Sequence, residues 1–136
     1  MGYNAPNKEK LEKQIEEFKE KNKSNALIAG TGSFFMVGVA GELSVTINWP
    51  DGQRMSFSGQ MGGLGAGGGT CAVAGTFSSK PNNGESMGFQ ILSLQSTVGG
   101  IEVLFTEGPD AKGMISGVAA GVSGFLAMGS GKWTYA

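Results

Sequence analysis

The stretch Ser58-Gly59-Gln60-Met61-Gly62-Gly63-Leu64-Gly65-Ala66-Gly67-Gly68-Gly69-Thr70 constrains this chain more than any other. It has an echo at Gly113-Met114-Ile115-Ser116-Gly117-Val118-Ala119-Ala120-Gly121-Val122-Ser123-Gly124-Phe125. Glycine adds nothing to a core and loses the most entropy on ordering, so a run this dense persists in a folded protein where backbones bend sharply or approach closely. Coiled strands of a small closed barrel are such a place. Within the run, Gly63-Leu64-Gly65-Ala66-Gly67-Gly68 also satisfies the spacing of a dinucleotide loop. Such a loop leaves a strand and opens a helix. The next residues here are Thr70-Cys71-Ala72-Val73-Ala74-Gly75-Thr76-Phe77, with Cys71, Val73 and Phe77 on one face at strand period, so the structural reading is preferred. The segment from Gly124 to Gly131-Lys132 has neither the spacing nor the Ser/Thr of a phosphate loop.

Both glycine-rich stretches belong to a longer repeat. A constant shift of 56 positions matches Gly65 with Gly121, Gly68 with Gly124, Gly75 with Gly131, Gly52 with Gly108 and Asp51 with Glu107. The same shift aligns Val45 with Ile101, Ile47 with Val103, Trp49 with Phe105 and Phe77 with Trp133. Upstream, Gly32-Ser33-Phe34-Phe35 corresponds more loosely to Gly88-Phe89-Gln90-Ile91. Leu43, Val45, Ile47 and Trp49 alternate with polar residues, and Pro50-Asp51-Gly52 is turn chemistry leading to a partner strand with Met55 and Phe57. The second copy runs through Ile101, Val103 and Phe105 to the turn Glu107-Gly108-Pro109-Asp110. Each half therefore reads as four strands, at 30–40, 42–50, 54–61 and 69–77, and again at 87–96, 99–106, 113–119 and 125–135. The expected fold is mainly β, an eight-stranded antiparallel barrel or sandwich of two repeated four-stranded Greek-key halves, about 30–77 and 86–135. The glycines are expected between the third and fourth strands of each half, with Gly65, Gly68, Gly121 and Gly124 as structural positions in one layer of the barrel.

A different kind of sequence precedes the barrel. From Asn7, an expected N-cap, Lys8 to Lys21 is made of helix formers with Leu11, Ile15 and Phe18 at i, i+4 and i+7. Residues 1–25 are thus read as a charged amphipathic helix with its linker, and 26–136 as the glycine-rich barrel domain. The helix region holds six of the ten basic residues and five of the eleven acids. That balance, with a stripe only three side chains wide, suits docking on the body or on a second copy of the chain, as a homo-oligomer, better than lying in a membrane interface.

Composition removes several chemistries. With no histidine, Ser-His-Asp and Cys-His catalysis and imidazole metal sites are absent. The one cysteine, Cys71, sits in an apolar strand pattern and forms no internal disulfide. A net charge of -1 with 15% charged residues gives no footprint for nucleic acid. Asp51, Glu107 and Asp110 fall at turns, where acids are ordinarily turn formers. No catalytic, cofactor-binding or metal-ligating residue is expected, and no cofactor. No apolar run is long enough for a spanning helix, and the first residues carry no signal-peptide pattern.

Taken together, the alternating strand, the turn Trp49-Pro50-Asp51-Gly52, the strand ending Phe57-Ser58-Gly59-Gln60 and the glycine run resemble the core of the virulence-associated (Vap) proteins of actinobacterial pathogens, over about residues 30 to 135. The resemblance implies a compact barrel of two Greek-key halves. It also implies a secreted, non-enzymatic protein that acts on the host phagosome or endolysosome. The charged helix in front and the missing leader depart from that pattern.

Three function classes are compatible with these features. The first is an effector or toxin-like module acting on a membrane surface or a protein, through an interaction patch of Met61, Leu64, Val118, Val122, Phe125 and Leu126 that flanks the glycine runs. The second is a barrel that binds a small hydrophobic ligand. The third is an immunity or other partner-binding protein. Phe34, Phe35, Trp49, Phe57, Phe77, Phe89, Phe105 and Trp133 are enough to fill a barrel interior, which favours the first class over the second.

Overall fold

The computed structural model describes residues 8–22, 27–64, 67–93, 100–118 and 125–136. The helix α1 (Lys8–Lys21) is followed by β1 (Ile28–Val37), β2 (Ala40–Asn48), β3 (Arg54–Leu64), β4 (Gly67–Phe77), β5 (Ser86–Ser93), β6 (Gly100–Glu107), β7 (Asp110–Val118) and β8 (Phe125–Tyr135). All eight expected strands are present, and the 56-residue shift carries β1 to β4 onto β5 to β8. Pairing is antiparallel throughout, and the order around the closed barrel is β1-β2-β3-β8-β5-β6-β7-β4. Each half thus lies in space as 4-1-2-3 or 8-5-6-7, the Greek-key order, and the halves meet at two seams, β3 with β8 and β4 with β7. Closure gives every described strand a partner on both sides.

The glycine run does not separate the third and fourth strands; it lies within them. Gly59, Gly62 and Gly63 belong to β3, and Gly67, Gly68 and Gly69 to β4. Of the four glycines singled out by the repeat, Gly65, Gly121 and Gly124 fall outside the described residues. A Cβ on Gly68 would stand 3.1 Å from the Phe34 carbonyl oxygen, tight but within reach of small adjustments. The stricter constraint sits at the repeat-related pair Gly75 and Gly131, one on each seam. A Cβ on Gly75 would fall on the Met114 carbonyl oxygen and 2.7 Å from Ile115 Cα; on Gly131 it would fall on the Ser58 carbonyl oxygen and 2.6 Å from Gly59 Cα. At these two points the halves pack backbone against backbone.

Strand alternation turns one set of side chains inward. Phe57, Phe77, Phe89, Phe105 and Trp133, with Trp49 from the β2–β3 turn, meet inside the barrel with ring centroids 5.0–6.3 Å apart, mostly edge to face or tilted. That geometry aligns ring edges with ring faces, which adds to the burial of large apolar surfaces. The Nε1 atoms of Trp49 and Trp133 find no hydrogen-bond partner there, and the surrounding ring faces are the weak acceptors at hand. Ile28, Phe34, Met36, Leu43, Ile91 and Val103 continue the same core. Phe35 is a correction: it follows Phe34 on β1, so the two-residue period turns it outward, and it is 48% exposed.

The helix docks on the body of its own chain. Leu11, Ile15 and Phe18 are buried against Leu92, Leu104 and Met114, with Leu126 and Ala111 partly buried beside them. These are outward-facing residues of four adjacent strands, and they form two cross-strand pairs, Leu92 with Leu126 and Leu104 with Met114. The positions 56 residues earlier than Leu104, Met114 and Leu126 are Asn48, Ser58 and Thr70, all exposed and polar. The apolar surface at Leu104, Met114 and Leu126 is therefore not repeated at those positions of the other half, and α1 covers it. Lys19 adds an ion pair with Glu102 at 3.6 Å, and the Asn22 side chain donates to the Phe18 carbonyl where the helix ends.

This packing can be probed at the seams and at the helix. Gly75→Ala or Gly131→Ala is expected to lower stability in urea unfolding by about 3 kcal/mol, the upper range of overpacking. Gly52→Ala, at φ 89° with nothing within 4 Å, is expected to cost about 1 kcal/mol. Deleting residues 1–24 is expected to leave the β-sheet circular dichroism intact, because the helix contributes nothing to the aromatic interior, while binding of a hydrophobic dye rises as the Leu92–Leu126 and Leu104–Met114 face is uncovered. Loss of the β signal would show that the helix is required for closure.

Candidate functional site

The barrel has two chemically different ends. At one end lie the turns 49–53 and 107–110 and the segment 78–85 that links the halves. In the first turn the Trp49 amide donates to the Gln53 carbonyl at 2.8 Å and the Gly52 amide to the Trp49 carbonyl at 3.0 Å. Asp51 accepts from the Gln53 amide at 2.8 Å and from Lys80 Nζ at 2.6 Å. The Lys80 ammonium, with the Gln53 amide, holds the Asp51 carboxyl below its ordinary range. The linking segment is tied to β8 by the Gly84 amide donating to Trp133 O and the Trp133 amide donating to Glu85 O.

The other two turn acids do not join Asp51. Glu107 shares a hydrogen bond with Glu85 instead, and that contact raises the Glu107 carboxyl above its ordinary range. Glu85 is held low, first by the Asn82 amide that donates to it at 2.9 Å and then by Glu107. Lys112 and Asp110 face the pair with opposite signs. Each carboxyl therefore shifts the other's titration, Glu107 upward and Glu85 downward. Between this end and α1 lies a cleft of about 530 Å³ lined by Phe18, Lys21, Asp110 and Lys112 among others.

The opposite end, where β1 turns into β2, is apolar. Val37 is 72% exposed, Val39 69% and Phe35 48%, and Val118 at the end of β7 is 56% exposed. Met128 on β8 is 39% exposed. A shallow groove of about 440 Å³ runs beside the hairpin between Phe35, Val37, Ala40, Glu42, Gln60 and Met61.

The expected patch is redistributed by the fold. Met61 is buried, because the strand period that places Met55 and Phe57 inside places Met61 inside too. Leu126 packs beneath α1. Val118 is exposed. Leu64 ends β3 and pairs in register with Leu126; Val122 and the side chains of Leu64 and Phe125 lie outside what the structure describes. Val37 and Val39 are exposed apolar residues that the expected patch omits. Their signal in the sequence is a hairpin turn, Val37-Gly38-Val39-Ala40, with no polar turn former in it.

These elements define a small duplicated Greek-key barrel, closed by its own aromatic interior and capped along one flank by a helix. Among solved structures the chain is similar in fold to the virulence-associated protein VapD of the intracellular pathogen Rhodococcus equi, with a TM-score of 0.57 at 17% identity over 82% of this chain and 97% of that one. VapB of the same organism gives a TM-score of 0.53 at 21% identity over 82% and 96%. The resemblance carried by the glycine run and the hairpins is therefore shared at the level of fold. No family pattern and no curated protein matches the chain.

The acid pair gives a pH dependence of definite sign. Because Glu107 titrates above its unfolded value, the folded chain holds more protons in that window, and stability rises as pH falls from neutral through it. The low values of Asp51 and Glu85 oppose this only at more acidic pH, where their contribution is lost. Glu107→Gln, which keeps a donor toward Glu85 and removes the charge, is expected to raise the melting temperature at pH 7 slightly and to flatten its change between about pH 7 and 5. An unaltered pH profile would rule out the influence of Glu85 on Glu107.

Proposed function

We propose that this protein is a non-enzymatic effector of the virulence-associated kind, which works by contact with a membrane surface or a protein partner and does so outside the producing cell. The observation that carries this reading is the division of the barrel: an interior occupied by its own rings and an end where exposed aliphatic side chains gather away from the charged turns. A small-ligand barrel needs interior space, and the rings of Phe57, Phe105 and Trp133, in contact across the barrel, take up that space. The named likeness to VapD and VapB, both described as virulence-associated, supports the effector class and a secreted or host-delivered location.

Contact with a membrane would be driven by apolar surface, since the barrel from Leu27 onward carries only Arg54, Lys80, Lys112 and Lys132 as cations. Flotation of the purified chain with liposomes, and leakage of an entrapped dye, are expected to show association that salt barely changes, at one or more values between about pH 4.5 and 7.5. Absence of flotation throughout that range would reject the membrane branch and leave a protein partner, to be sought by cross-linking.

A further inference from the structure

We infer that the β1–β2 hairpin tip is the element that enters a lipid surface, with Val37 and Val39 as the inserted side chains and Phe35 and Met128 as the rim that settles on the interface. The inference rests on the membrane branch of the proposed function and goes further by naming the site and its orientation.

The hairpin is anomalous by the standards of this chain itself. The two other hairpin turns among the described residues, β2–β3 and β6–β7, are built from Pro50-Asp51-Gly52 and Gly108-Pro109-Asp110, polar and suited to water. The β1–β2 turn is Gly38-Val39, with Gly38 at φ 66° supplying the reversal and nothing within 4 Å of where its Cβ would be. Such a turn needs no valine for its geometry, and the two valines beside Gly38 are among the most exposed large apolar residues described. From Phe34 to Gly41 the chain has no charged side chain at all.

The tip also continues an apolar row. Register partners across neighbouring strands face the same side, and they run outward from Val37 to Ala40, to Gly62 and to Met128. The row then passes Gln90 to Leu104 and Met114, which α1 already covers. The open part of this row is thus continuous with an interface that the fold itself buries. Gly62 leaves a low place in the row, so that Val39, whose carbonyl accepts from the Gly63 amide at 3.2 Å, projects above it. Protruding single aliphatic side chains on an uncharged tip match the acyl region of a bilayer, which offers apolar volume and no counter-charge. Glu42, flanking the groove below, marks where the uncharged surface ends and the headgroup level would lie.

The test uses the full chain with vesicles of phosphatidylcholine, and with phosphatidylcholine containing phosphatidylserine. Val37→Asp with Val39→Asp is expected to lower the vesicle-bound fraction by about tenfold or more, on both compositions alike. Both sites are exposed, so the melting temperature should hold, and that measurement accompanies the binding. In a second variant, Val39→Trp, the added indole is expected to shift to the blue on binding and to be quenched by bromine-labelled acyl chains, while the buried Trp49 and Trp133 of the parent are not quenched. If the parent chain floats and the double aspartate variant floats equally, the hairpin assignment is overturned and the membrane reading stands. If the Val39→Trp indole is not quenched by the acyl labels although the chain floats, insertion by this tip is overturned in the same way. If the parent chain floats on neither composition, both are overturned.

Discussion

The two seams at which the halves join depend on backbone meeting backbone. At Gly75 and at Gly131 the neighbouring carbonyl occupies the space a Cβ would need, so the strands come together there only if the side chain is absent. That approach narrows the barrel enough for six rings from both halves to touch across the interior. The rings fill the space that the seams enclose. Dense glycine and dense aromatic content are thus complementary: the first brings the walls together, and the second keeps them from collapsing unevenly.

With the inside committed, variation is confined to the outside. One outer flank bears Leu92, Leu104, Met114 and Leu126 and is covered by α1. Its counterpart bears Asn48, Ser58 and Thr70 and faces water. The barrel's two ends diverge as well, one holding the separate pairs Asp51 with Lys80 and Glu85 with Glu107 and the other ending in aliphatic side chains. A symmetric core therefore supports a polarised surface.

Much of the architecture is legible in the sequence, because two signals agree. Period-two alternation places the strands, and the 56-residue shift places the halves. The site is less legible, for reasons that can be named. Ending β3 at residue 61 frees Met61 from its alternation, although Met55 and Phe57 already determine its side. Size alone assigns Phe35 to the core, whereas its parity with Phe34 turns it outward. The docking place of α1 is written in breaks of the alternation, Ile91-Leu92, Val103-Leu104-Phe105 and Met114-Ile115, where consecutive apolar residues require cover on both faces. The meeting of Glu85 with Glu107 depends on how the linking segment folds across the barrel end, which no local pattern encodes.

The cross-strand row that begins at Val37 has a consequence for how such a chain can change. Interior letters are bound to partners in both halves, so altering one ring obliges several others to move. Letters on the outward row answer only to what lies against them, a helix at Leu104 and solvent at Val37. A barrel of this design can change the character of its outer surface by rewriting a few alternate positions of its wall while inheriting its shape unchanged.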